Sequence, residues 1–402
     1  MFKGFFIDIK EWVLETARSF RHELHACLTD VGVLIFFLFL PLAYPLIYSL
    51  IYNTEVTRDM PVVVVDNCRT ADTREFVRHA DATEAIRIAG YAANMQEAKE
   101  AMMSKNCFGI LEIPRDYSQK LMRLEQPQVQ FYCNMTLLLR YRTFLGSLTE
   151  LQMATGAELR ERALSDLGMP PSAAPSAVSS VGYAMGDTQQ GFASFIIPGI
   201  VILILQQSML LGITMLGGTR QERRRLCGPL PCDAYSPSAQ IFGRTLAYVF
   251  IYIPLTLYIL DFVPAFFSYP HHSDMLTDLL TVLPMLLATA MMGQALNILA
   301  SERESSFIIV VFTSVLFLFL SGLTWPRFAI NGFLTVLGDF VPATWGIDSF
   351  VRINSNGATL ADQKTAWIWM WLLFVVYTTI AYLVVRIQTS RPFRFRRAKA
   401  LR

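Results

Sequence analysis

Glu222-Arg223-Arg224-Arg225 is the densest charge between the long apolar runs of this chain. It precedes Leu226-Cys227-Gly228-Pro229, so the spacing predicts a short charged helix ended by Gly-Pro. Such a segment suits two kinds of work. It can fix the side of the membrane on which its loop stays. It can also dock in a complementary cleft of another protein. Covalent chemistry finds no support. No G-x-x-x-x-G-K-[ST] phosphate loop occurs, and Gly217-Gly218-Thr219 reads as a turn. No H-E-x-x-H or Cys-x-x-Cys pair occurs, and Ser, His and Asp never stand in a nucleophile-elbow context. Cys227 and Cys232 enclose Gly-Pro-Leu-Pro without further metal ligands and read as thiols in a reducing compartment. Cys68, Cys107 and Cys133 allow at most one internal disulfide, and buried reduced thiols are the other reading. His271-His272 reads as a surface turn, and a metal reading has only Asp274 as a carboxylate neighbour. The expectation is no enzyme, no catalytic residue, no metal site and no cofactor bound by this chain itself.

A second group is polar and sits inside apolar runs: Gln206, Gln207, Asp261, Gln294 and Asn297. Such residues are costly in lipid, so they face either a partner helix or a substrate pathway. Asp261 is the costliest and falls near the end of its run, within reach of water.

These residues need elements to hold them, and the composition says which. The chain has 402 residues, of which 53% are hydrophobic and 16% charged. Soluble domains carry about 25% charge, so the class is a membrane protein. The sequence predicts an α-helical polytopic protein with six transmembrane helices: 31–52, 193–217, 240–267, 276–300, 306–325 and 366–387. Pro41 and Pro45 should kink the first. Residues 1–30 place Phe2, Phe5, Phe6, Ile9, Trp12, Val13, Phe20 and Leu24 at helical spacing, which predicts an amphipathic helix in the headgroup plane. Residues 53–192 break the apolar pattern. Strand signals at 60–66, 107–113 and 129–132 alternate with helical stretches at 72–81, 94–105, 115–124 and about 136–167, so an inserted α/β domain is expected. Pro170 to Ser176 reads as a linker. After the fifth span the chain stays apolar but is broken by Pro326, Gly332, Gly338, Pro342 and Gly346. Broken backbone at membrane depth must be covered by protein or line water, so re-entrant outer helices are expected over about 326–354. Basic short loops stay in the cytoplasm. The Arg-rich 218–225 and the tail 386–402, with seven Lys/Arg and no acid, therefore put both termini inside and the 53–192 domain outside.

Ser321-Gly322 with Trp325-Pro326, then Leu337-Gly338, Pro342 and Phe350-Val351-Arg352-Ile353-Asn354 with Gly357, resembles the permease subunits of type-2 ABC exporters. The resemblance is to the subgroup with a large extracytoplasmic domain between spans one and two. It extends to the end of an elbow helix at Arg21-His22-Glu23-Leu24 with Asp30, and to Val65-Asp66 and Ile113 to Ser118 in the inserted domain. The family often has a second proline where this chain has Ala329-Ile330-Asn331. It usually has a Glu-rich phrase where this chain has arginines. The resemblance implies a permease that moves a substrate outward across the bacterial inner (cytoplasmic) membrane. It also implies a separate ABC ATPase that binds ATP and Mg, a second permease copy as dimer partner, and a place for a periplasmic adaptor. Glu222, Arg223, Arg224 and Arg225 would then couple to that ATPase. Trp325, Pro326 and Pro342 would shape the re-entrant outer segment. Nucleic acid has no place in this reading. The rival reading is a non-transporting sensor or scaffold that presents the 53–192 domain.

Overall fold

A computed structural model of the chain describes residues 2–52, 58–104, 106–123, 125–133, 138–166, 168, 192–300 and 302–390. The expected linker at 170–176 and the tail beyond 390 lie outside the described residues. The chain divides into two units, Met1–Asn53 with Ala184–Arg402, and Thr54–Tyr183.

The second unit is built on four strands, β1 (Met60–Asp66), β2 (Ile86–Tyr91), β3 (Gly109–Ile113) and β4 (Gln130–Cys133), with helices α4 (Ala71–Asp81), α5 (Met95–Met103), α6 (Tyr117–Met122) and α7 (Leu138–Asp166). Their order is β2-β1-β3-β4, with β2 and β3 parallel to β1 and β4 antiparallel to β3. The valine run of β1 is buried on both faces, as a central parallel strand requires. Val62, Val64 and Leu111 pack on one side with Phe76, Tyr117 and Phe144, and Val63, Val65 and Ile110 on the other with Ala98 and Cys107. β2 was not expected from the sequence. It is an edge strand whose exposed Arg87 and half-buried Gly90 weaken its apolar signature.

In the first unit, six helices among the described residues are long and apolar enough to cross a membrane. The first span covers Val31–Tyr52 and comprises α2 (Val31–Leu34), a π turn and α3 (Leu40–Tyr52). Its prolines leave it helical, with a π turn at Ile35–Phe39 just before Pro41. Pro41 has no N–H for the Phe37 carbonyl, and a wider turn is one way a helix absorbs that loss. The second span, α8, runs unbroken from Phe192 to Cys227. The third comprises α9 (Pro237–Leu257), a π turn at Tyr258–Phe262 and α10 (Val263–Phe267). The fourth is α11 (Met275–Leu296), the fifth α12 (Arg303–Leu320), and the sixth α15 (Lys364–Ser390). The most apolar windows of α8 and α11 are each 72% buried, against 22% for the first and fifth spans, so α8 and α11 form the centre of the unit. Their shared core includes Leu205, Met209, Met285 and Leu286, and in the same core Phe37 meets Tyr248 and Tyr252 edge to face.

Between the fifth and sixth spans lie a 3-10 turn (Arg327–Ala329), α13 (Gly332–Asp339) and α14 (Pro342–Asn356). Pro342 opens α14 where its missing N–H costs nothing. The Trp345 ring stacks on Trp369 at 5.3 Å, with Arg327 over its other face at 5.1 Å. Its indole N–H donates to the Asp339 carbonyl at 3.0 Å. Trp325 stays exposed, while Pro326 precedes the 3-10 turn.

The N-terminal helix, α1 (Phe2–Thr29), does not lie free on a surface. Its contacts run along α9 from its N-cap, Ser236, to Phe250. Glu15 accepts from Ser236, Trp12 donates to Ser238 at 3.0 Å, Ser19 donates to the Gln240 carbonyl at 3.2 Å, and Phe20 meets Phe250 edge to face. The buried stripe is Thr16, Ser19, Glu23 and Cys27, small and polar residues at helical spacing. Small residues let backbones approach closely, which is how helices pack without a hydrophobic drive. Ile9, Trp12 and Val13 remain exposed and available to lipid.

Candidate functional site: the charged end of α8

At 1.5 Å per residue, the 36 residues of α8 extend about 54 Å, against a hydrocarbon core of about 30 Å. The helix must therefore project from the membrane, and its last two turns carry the arginines. This corrects the expected organisation. Residues 218–227 are neither a loop nor a separate short helix, and Gly217-Gly218 is helical rather than a turn. Gln, Glu, Arg and Leu are good helix formers, so the backbone continues after the apolar run ends. Gly228, at φ +86°, stops it.

The projecting turns tie the ends of the other spans together. Arg220 reaches both carboxylate oxygens of Glu23 at 2.6 Å. The Tyr248 hydroxyl donates to the same carboxylate, and Arg244 approaches it at 3.7 Å. Burial works against a charge on Glu23, but Arg220 and Arg244 outweigh it and hold the carboxyl below the usual carboxylate range. Arg224 grips Asp233 in a fork of hydrogen bonds and donates to Gln388 at 3.2 Å. Gln388 and Gln221 both donate to the Asn297 carbonyl, at 3.2 and 3.3 Å. Glu222 accepts the Arg303 backbone N–H at 3.1 Å, and Arg303 in turn pairs with Asp30 at 2.6 Å. Gly218 permits this closeness: a Cβ there would stand 2.6 Å from the Glu302 carbonyl oxygen. The end of α8 thus touches α1, the α8–α9 turn, the end of α11, the start of α12 and the end of α15.

The four charges singled out in the sequence consequently divide. Glu222 and Arg224 hold the fold. Arg225 forms a 3.5 Å pair with Glu302, with both side chains more than half exposed, so the pair adds little. Arg223 is exposed and makes no ion pair among the described residues. Leu226, 85% exposed, and Cys227 lie three and four residues further on, on the same helical face. Arg223, Leu226 and Cys227 therefore form the outward face of the tip. Sequence reasoning missed Arg244, Tyr248, Asp233 and Arg303, and knew Glu23 only through a resemblance. The available signal was Glu23 itself, a lone acid at helical spacing with Thr16, Ser19 and Cys27.

The polar residues within spans do not converge. Gln206 Oε1 accepts the Ala343 N–H at 2.6 Å, so it caps the start of α14. Gln207 has both amide atoms buried without a hydrogen-bond partner. Gln294 donates to Thr245 at 2.7 Å and joins α11 to α9. Asn297 caps the C-terminal end of α11 rather than standing inside it. Asp261 lies in the π turn of the third span, at the opposite end of the unit, beside His271 and Asp278. His271 is therefore not limited to Asp274 as an acidic neighbour. His272 Nδ1 lies 2.9 Å from the Asn354 carbonyl.

Six apolar helices, a projecting charged end and a web of ion pairs across that end define a multi-pass helical membrane protein. Residues 31–383 match the family described as "ABC-2 family transporter protein", and the chain belongs to that family. It is a membrane permease component of an ABC transporter. No curated protein matches the chain.

Proposed function

We propose that the chain is the membrane-spanning subunit of an ABC exporter and moves its substrate outward across the bacterial cytoplasmic membrane. The energy comes from a separate ATPase subunit that binds ATP and Mg. Both termini face the cytoplasm, which the basic content of 218–225 and 386–402 supports, and the Thr54–Tyr183 unit faces outward. A second permease copy completes the assembly.

The observation that carries this reading is the end of α8. A transporter driven by an outside motor needs a rigid element that meets the motor at one point and the spans at many. The projecting turns of α8 have that form: an outward face of Arg223, Leu226 and Cys227 backed by bonds to five other elements. Leu226 offers an apolar contact at the centre of this face, and Arg223 supplies charge for an acidic cleft. The test is the double substitution Arg223→Glu with Leu226→Asp. It should leave insertion and thermal stability unchanged and lower ATPase co-purification about tenfold or more. Normal co-purification and normal export by a correctly inserted double mutant would remove this face from the mechanism.

A further inference from the structure

The loop between the third and fourth spans brings together three side chains from three different elements. Asp261 comes from the π turn, His271 from the loop, and Asp278 from the first turn of α11. His271 Nε2 stands 3.7 Å from Asp261 Oδ1 and 3.4 Å from Asp278 Oδ2. One oxygen or nitrogen from each residue lies within 4.8 Å of the other two. Asp278 is fully buried, and neither of its carboxylate oxygens has a hydrogen-bond partner. The Ser273 hydroxyl, also buried, stands close enough to act on Asp278 without completing a hydrogen bond of normal geometry, and Asp261 Oδ2 and His271 Nδ1 have no hydrogen-bond partner.

Neither a hydrogen-bonded cluster nor an ion pair accounts for this. Separations of 3.4 and 3.7 Å exceed the 2.7–3.2 Å range of hydrogen bonds to nitrogen. A buried carboxylate without a donor is strongly unfavourable. With both carboxyls ionised, protonating His271 would set one positive charge against two negative ones; protonating one carboxyl as well would cancel that charge but leave Asp261 Oδ2 and His271 Nδ1 buried without partners. A divalent cation with neutral His271 balances both carboxylates. The spacing fits as well: two ligands at about 2.1 Å on one tetrahedral ion stand about 3.4 Å apart.

We propose that Asp261, His271 and Asp278 form a binding site for a divalent transition cation of the zinc type. The imidazole nitrogen favours such an ion over magnesium or calcium, which prefer all-oxygen shells. Three protein ligands leave a further position for water. Occupied, the site pins the 268–274 loop across the ends of the third and fourth spans. The inference rests on these three side chains alone and not on the direction of transport or on the ATPase.

The test uses the purified full-length chain in detergent, stripped with chelator and then titrated with Zn²⁺, and with Co²⁺ as a visible probe. One Zn²⁺ per chain and a Co²⁺ absorption band that Zn²⁺ removes are the expected results. Mg²⁺ and Ca²⁺ in excess should not compete. Asp278→Asn, Asp261→Asn and His271→Gln should each weaken Zn²⁺ binding about tenfold or more. Asp278→Asn removes a buried unpaired charge, so the metal-free variant should fold; His271→Gln, at the more exposed position, gives the same test should it fail to. Absence of stoichiometric Zn²⁺, or Zn²⁺ bound equally well by the variants, overturns the proposal.

Discussion

Glu23 shows at the scale of one residue how the α1 end of the membrane unit is held. It faces Arg220, Arg244 and the Tyr248 hydroxyl, so among the described residues it is one acid against two cations in that contact. Removing one partner from a buried ion pair costs about 3–5 kcal/mol, because the remaining charge is left without compensation. Glu23→Gln should therefore lower the thermal stability of the full chain by an amount on that order, as read by unfolding in detergent. The sign of the pH dependence follows from the same contact. The folded carboxyl titrates below its unfolded value, so its contribution is complete above the ordinary Glu range near pH 4.3 and is lost as pH falls through the folded value. Wild-type stability should stay flat near neutrality and fall in acid, and the Gln variant should lack that part of the fall. None of this was legible in the sequence. Glu23 and Arg220 are 197 positions apart, and nothing local in either segment announces the other.

At the scale of elements, the spans were legible because about 20 apolar residues in a row have few other structural uses. The end of α8 was not, because hydropathy marks where apolar residues stop and not where the helix stops. Arg220 to Cys227 continue the helix by propensity and by bonds to five neighbours, and only the second fact distinguishes a projecting helix from a loop. β2 escaped for the converse reason: Arg87 and Gly90 dilute a short edge strand whose pairing with β1 is decided by the tertiary fold. The close approach of α8 to the α11–α12 turn yields a prediction at this scale. Gly218→Val would place a branched side chain against the Glu302 backbone, which cannot rotate away as a side chain would. Overpacking of this kind costs about 1–3 kcal/mol, so the thermal midpoint should drop. Gly146→Val, in a helix with open space around the Cβ position, should leave it nearly unchanged.

At the scale of the whole molecule, labour is divided along α8. Its middle lies in the apolar centre of the unit with α11, its last turns gather the ends of the other elements, and its tip is exposed. In the proposed function a displacement applied at the tip would be transmitted by the one continuous helix of α8, whose end is bonded through Arg220, Glu222 and Arg224. The native Cys227 on the exposed tip allows a direct measurement. A short thiol-directed photocrosslinker attached to Cys227 in membranes that contain the ATPase subunit should, on illumination, join the two polypeptides. Cys227→Ser should abolish the product. An ATPase that co-purifies with the chain but is never captured from Cys227 would contradict the central claim that the tip of α8 is where the motor engages.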